Sequence, residues 1–213
     1  MTTLKNILQS LIVTILFFSS SDGNATSSAS NWIITDQGSV RLVVNQDPEN
    51  ASQLQMGLHF KMLKDWKIYW RSPGEAGYPP SVDWSSSINV KPGPFNWPIP
   101  TRFSILGLDT IGYKNEVLLP FNGEILDKSK TANIIGKLNY LTCKLICVPI
   151  DLTIALKLSP EDRGSDEFSH IINQFLERVP SKEQTNFEIL SVILLLYFFY
   201  LNQLYFQLFQ NIL

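Results

Sequence analysis

Histidine and cysteine are scarce in this chain, with two of each among 213 residues. A structural zinc site wants four ligands, and His59 and His170 lie far in sequence from Cys143 and Cys147. A metal clip at the cysteines therefore lacks partners. Charge is also sparse: 17% of residues are charged, the net charge is -2, and no Lys/Arg cluster occurs. Nucleic-acid binding needs a basic face to displace counterions, so that class of partner is excluded. No internal repeat is present, and His59 falls on the polar side of its segment, where solvation is expected.

Period-two alternation, by contrast, is abundant. In "LQMGLHFKM" the apolar residues are Leu54, Met56, Leu58, Phe60 and Met62, with Gln55, His59 and Lys61 on the other side, the pattern of a strand with one face on a core. Val40, Leu42 and Val44 repeat it, as do Val117, Leu119 and Phe121. So do Ile134, Leu138 and Tyr140, and Ile150, Leu152, Ile154, Leu156 and Leu158. Short strands separated by turn-rich gaps predict an all-β, antiparallel β-sandwich. Prolines at 73, 79, 80, 92, 94, 98 and 100 rule out a long helix there, since each lacks an amide donor and restricts its predecessor. That section reads as edge strands and long loops, with Trp66, Trp70 and Trp84 as core and loop anchors.

The ends differ from the middle. An apolar stretch from Ile7 to Phe18 follows one lysine and precedes small residues near Ala25 and Ala29, the order of a secretory signal or an uncleaved anchor. The chain beyond that segment is expected outside the cytoplasm, where a disulfide is permitted. After Pro160, Phe168, Ile171, Ile172, Phe175, Leu176 and Val179 fall at helical spacing, with Ser165 as cap, Asp166 and Glu167 in the first turn and Pro180 as stop. This helix is expected to pack on the sandwich or on a membrane surface, and His170 on it reads as a surface residue. From Ile189 to Phe209 no charge occurs, which predicts a transmembrane helix, although Asn202, Gln203 and Gln207 weaken the case and a buried or aggregation-prone tail is the alternative. The expected organisation is a signal peptide or anchor at 1–29, a sandwich at 31–160, an amphipathic helix and linker at 161–186, and a hydrophobic tail at 187–213.

Cys143 and Cys147 stand between two strand-like runs. Four residues of extended chain span about 13 Å, while a disulfide needs α-carbons within roughly 4.4 to 6.8 Å. If the two bond to each other, the backbone between them must bend. Lys144 could then favour a thiolate on a neighbour, and Pro149 would end the turn. As a staple so small a loop contributes only about 2 kcal/mol by the chain-entropy estimate. As a redox pair it could open without unfolding the domain. Two thiolates can also hold Cu(I), a weaker copper-handling alternative.

Three separated stretches, "DWKIYWRSPGEAGYPP" with "VDW", "GLDTIGYKNEVLLP" and "LNYLTCKLICVPIDL", together resemble the periplasmic N-terminal domain of the DsbD family, particularly its branch with suppressor of copper sensitivity protein B. The likeness covers roughly residues 40 to 160. It implies an immunoglobulin-like sandwich and a thiol:disulfide oxidoreductase. Its Cys143/Cys147 dithiol would take electrons from a membrane-embedded partner domain and reduce thioredoxin-fold proteins in the periplasm, with no cofactor. By the same resemblance Cys147 forms the mixed disulfide. Asp109 would match an acidic position of a loop that caps the sulfurs in some relatives, though no phenylalanine stands beside it. Tyr113 and Tyr140 would border the site or simply pack. Full-length relatives continue into a multi-helix membrane domain and a thioredoxin-like domain, so this chain reads as a fragment, a frame-disrupted product or a module fed by another protein. The competing class is a non-catalytic immunoglobulin-like binding module with a structural disulfide, using the aromatic loops between 66 and 100.

Overall fold

The structure is a computed structural model that describes residues 28–46, 50, 52–105, 107–160 and 168–180, together with Tyr197 and Tyr200. The segment up to residue 27, read above as a signal or an anchor, lies outside the described residues, as do Ser165, Asp166, Glu167 and nearly all of the hydrophobic tail. Among the described residues no helix is long and apolar enough to cross a membrane.

Eleven strands form in the described chain: β1 (Ile33–Thr35), β2 (Gly38–Gln46), β3 (Gln53–Met62), β4 (Lys67–Gly74), β5 (Ser81–Asp83), β6 (Val90–Pro92), β7 (Thr101–Ile105), β8 (Leu108–Lys114), β9 (Glu116–Ile125), β10 (Ala132–Cys143) and β11 (Cys147–Leu158). One sheet runs β1-β2-β3-β9-β6 and the other β11-β10-β4-β8-β7, with β5 pairing β10; every pairing is antiparallel. The proline-rich section contributes only short or edge pieces. Pro92 sits on β6, an edge of the first sheet, where a missing amide donor costs no ladder bond.

The alternation read from the sequence defines the inward faces. Val40, Leu42, Val44, Leu54, Met56, Leu58, Phe60, Val117, Leu119 and Phe121 from the first sheet meet Ile68, Ile134, Leu138, Tyr140, Ile154, Leu156 and Leu158 from the second in one core. Trp70 and Trp84 pack against it, and Trp84 lies with its ring 5.5 Å from that of Phe121. Trp66 is half-buried in the β3–β4 turn.

Helix α1 (Ser169–Leu176) comes after the strands. Phe168, Ile172 and Phe175 join the core, the α1 helix contacts β9 and β3, and the N–H of Ile99 donates to the Arg178 carbonyl at 2.8 Å. Its N-cap position is Phe168, which makes no side-chain capping bond. His170 is exposed.

Two expectations are corrected. His59 is not solvated: it is 1% exposed. Alternation predicts which side chains share a face but not what lies over that face, and here the outer face of the first sheet is covered around His59. The segment ahead of β1 runs along β2, with the Val44 N–H on the Ser28 carbonyl at 2.7 Å. It sets Trp32 4.9 Å from the His59 ring. The Arg41 guanidinium lies over both Trp32 and Phe168, and Leu118, paired with His59, is also buried. Pro149 does not end the turn either. It lies inside β11 opposite Leu141, tolerated because β11 is an edge strand.

His59 Nε2 lies 2.6 Å from Glu116 Oε1, while its Nδ1 is buried with no hydrogen-bond partner among the described residues. Burial lowers its pKa; the Glu116 hydrogen bond and charge oppose this, and Arg41 and Lys61 reinforce it. A histidine held neutral by folding stabilises the protein above its unfolded pKa, and that contribution is lost as pH falls through the lowered folded value. The urea midpoint of the wild type relative to His59→Gln is therefore predicted to drop as pH falls below about 6.5. A midpoint difference that does not change with pH would remove His59 as the cause.

Candidate functional site

The two cysteines close the β10–β11 hairpin. Cys143 ends one strand and Cys147 begins the other, and they face each other as the last pair of a twelve-pair ladder. Their α-carbons are 4.1 Å apart and the sulfurs are bonded. The bend that a bond between the two cysteines demands is the turn at Lys144, Leu145 and Ile146, tightened by the Lys144 N–H donating to the Ile146 carbonyl at 3.0 Å. Lys144 directs its ammonium to Asp65 in the β3–β4 turn at 3.4 Å. Leu145 and Ile146 at the tip are 74% and 68% exposed.

The two sulfur-bearing residues sit in different surroundings. Along β10, Leu138, Tyr140 and Thr142 face the core, which leaves Leu141 and Cys143 on the outer face of the second sheet. On β4, Ile68 points inward and Tyr69 outward in the same way. Cys143 and Tyr69 are each 0% exposed and form a second, small buried cluster, with Phe103 and Leu141 packed against it. Cys147 is exposed. The Tyr69 hydroxyl donates to Cys143 Sγ at 3.0 Å and lies 3.9 Å from Cys147 Sγ. Burial pushes the Tyr69 pKa up, so the hydroxyl keeps its proton.

A hairpin and a loop cover this cluster. Phe103 on β7 lies with its ring 6.3 Å from that of Tyr69, and the Lys67 ammonium stands 5.4 Å over the Phe103 ring. Beyond β4, Gly77 adopts φ +94°, and a β-carbon there would collide with the Tyr69 ring. Only glycine allows the loop to lie this closely on the tyrosine.

Asp109 falls on β8 of the covering hairpin and is exposed. Its carboxylate forms an ion pair with Arg102, Nη2 lying 3.1 Å from Oδ2. Its N–H donates to Glu75 Oε2 at 2.6 Å and its carbonyl accepts the Glu75 N–H at 3.0 Å. It thus ties the hairpin to the loop after β4. Tyr113 and Tyr140 lie in the main core. Tyr113 donates to the Pro98 carbonyl at 2.8 Å, and burial raises its pKa. Tyr140 packs edge-on to Phe60, and burial pushes its pKa up to about 12. Among the described residues no three metal-ligating side chains converge.

Sequence reasoning overlooked Tyr69 and Phe103. A signal existed for the first: in "KIYW", Ile68 belongs to the core side by alternation, which sends Tyr69 to the opposite face. Phe103 is not adjacent to Asp109 in sequence. It reaches the site because β7 pairs with β8, with Phe103 opposite Thr110.

Residues 39–158 match the family described as thiol:disulfide interchange protein DsbD, N-terminal. The crystal structure of the N-terminal periplasmic domain of ScsB from Proteus mirabilis superposes with a TM-score of 0.59 at 28% identity, covering 74% of this chain. The chain spans 61% of that crystallised domain. The reduced N-terminal domain of DsbD from Neisseria meningitidis aligns over 62% of this chain and 85% of its own, at 13% identity and a TM-score of 0.32. No curated protein sequence is significantly similar to the chain.

Replacing Gly77 with alanine is predicted to push Tyr69 off Cys143 and strain the loop, with a loss of about 1–3 kcal/mol in chemical denaturation and faster reduction of the disulfide by a small thiol. Unchanged stability together with an unchanged reduction rate would show that this loop does not cover the pair.

Proposed function

Since the chain belongs to the DsbD N-terminal family of thiol:disulfide interchange proteins, we propose that its Cys143–Cys147 pair is a reversible dithiol that relays electrons to thioredoxin-fold partners. The electrons come from a membrane-embedded domain or protein, on an immunoglobulin-like sandwich attached to the inner membrane and facing the periplasm. The observation that carries this reading is the disulfide at a hairpin tip, with Cys147 exposed and Cys143 buried. A bond placed there can break without parting the two strands it joins, because all the other β10–β11 pairs lie on one side of it.

Exchange proceeds through a mixed disulfide. Cys147 is the exposed residue of the pair, which supports the reading that it forms the mixed disulfide. In the reducing direction the Cys147 thiolate attacks the partner disulfide, and its electron pair forms the intermolecular bond. One partner sulfur leaves as thiolate. Cys143 then attacks Cys147, releases the second partner sulfur and restores the intramolecular disulfide. The partner gains two electrons and this pair loses two. Leu145 and Ile146 supply exposed apolar surface beside the reacting sulfur.

In a glutathione redox series the Cys143–Cys147 bond should titrate reversibly while the fold persists, and Cys147→Ala should abolish reduction of an oxidised thioredoxin-fold substrate. A disulfide that resists reduction until the domain unfolds would make it a structural bridge in a binding module instead. Replacing both Leu145 and Ile146 with serine should slow exchange with the protein substrate on the order of tenfold and leave reduction by dithiothreitol unchanged. Equal slowing with both reagents would argue against a docking role for the tip.

A further inference from the structure

We infer that Tyr69 is a further catalytic residue of this pair, whose hydroxyl stabilises the thiolate of Cys143 whenever the Cys143–Cys147 bond opens. The inference rests on the redox reading of the pair and assigns a role to a residue 74 positions away in sequence.

Burial creates the need for such a group. Cys143 is 0% exposed, and a thiolate formed in apolar surroundings is disfavoured by desolvation. When an incoming thiolate attacks Cys147, the new S–S bond forms there and the old one breaks. Its electron pair leaves on Cys143 Sγ, inside the cluster of Tyr69, Phe103 and Leu141. The ring faces of that cluster cannot solvate a negative charge. Tyr69 contributes a polar atom at the sulfur, an O–H donor already 3.0 Å from Cys143 Sγ. A hydrogen bond to an ionised acceptor is roughly twice as strong as one between neutral groups. The same donor therefore interacts more strongly with the thiolate that forms than with the disulfide sulfur it contacts beforehand. This is stabilisation of developing charge by a preorganised dipole.

The donor is held in place from several sides. Tyr69 pairs with Gly112 in the sheet, Phe103 lies against its ring, and the Gly77 backbone closes over it. Burial raises its own pKa, so it offers a proton for hydrogen bonding and does not compete as a base. The charged groups of the neighbouring elements already have partners. Lys67 lies over Phe103 and donates to the Asp65 carbonyl, and Lys144 pairs with the Asp65 carboxylate. None of them is altered by removing the Tyr69 hydroxyl. In the opposite direction the arrangement works equally: the Cys143 thiolate, kept ionised by Tyr69, attacks Cys147 in the mixed disulfide and releases the partner.

The test uses the full chain. In a Cys147→Ala background the Cys143 titration midpoint, read from ultraviolet thiolate absorbance, should rise by about one unit when Tyr69 becomes phenylalanine, a tenfold loss of thiolate. With both cysteines present, Tyr69→Phe should slow reduction of the disulfide by dithiothreitol about tenfold. Phe103→Leu thins the packing but keeps the donor, so it eases the desolvation and should not raise the midpoint. Fluorotyrosine at position 69 keeps the shape and strengthens the donor, so it should move the midpoint down even if Tyr69→Phe fails to fold. A midpoint indifferent to fluorotyrosine, or shifted equally by Phe103→Leu, overturns the assignment. A pair that does not exchange with any thiol defeats the redox reading, while the Cys143 midpoint still reports on Tyr69 separately.

Discussion

The register of the β10–β11 hairpin is the constraint on which the rest of the site depends. Twelve consecutive pairs run from Ala132 opposite Leu158 to Cys143 opposite Cys147. Their register is dictated by burial: Ile134, Leu138 and Tyr140 must face inward together with Ile154, Leu156 and Leu158. A slip of one residue would turn those side chains to the wrong face. It would also move the cysteines out of opposition. The core therefore positions the sulfurs, and the disulfide closes a geometry that the ladder has already set.

The same alternation explains the asymmetry between the two cysteines. Odd-numbered positions near the end of β10 point away from the main core, so Cys143 is placed on the outer face of the second sheet. That face would be open to water if the domain consisted of two bare sheets. Tyr69, Phe103 and the glycine-containing loop after β4 make a local roof instead. The roof stops short of the hairpin tip, where Cys147, Leu145 and Ile146 remain accessible. A buried cysteine beside a hydroxyl and an exposed cysteine beside apolar side chains differ in their access to a second protein, although both belong to one five-residue turn.

The first sheet obeys a parallel logic with a different outcome. Around His59 its outer face is covered by the segment ahead of β1 and by α1, which brings Trp32, Arg41, His59 and Phe168 together. Periodicity placed His59 on the polar side of β3 correctly as to face, yet the expectation of solvation failed. Whether a face is wet depends on which remote segments lie over it. The cap question has the same origin. No phenylalanine neighbours Asp109 in the chain, and the one that packs at the sulfur cluster, Phe103, arrives from the neighbouring strand of the hairpin.

Local sequence was sufficient for what depends on neighbours along the chain: strands from period-two burial, the short proline-limited pieces between 73 and 100, the helical spacing after Phe168, and a bend between the cysteines. These arise from backbone sterics and from which side chains alternate. Tertiary structure alone decided which cysteine is buried, which hydroxyl meets it, and which loops cover it. Those outcomes turn on contacts between residues such as Tyr69 and Cys143, which only strand pairing brings within hydrogen-bond distance.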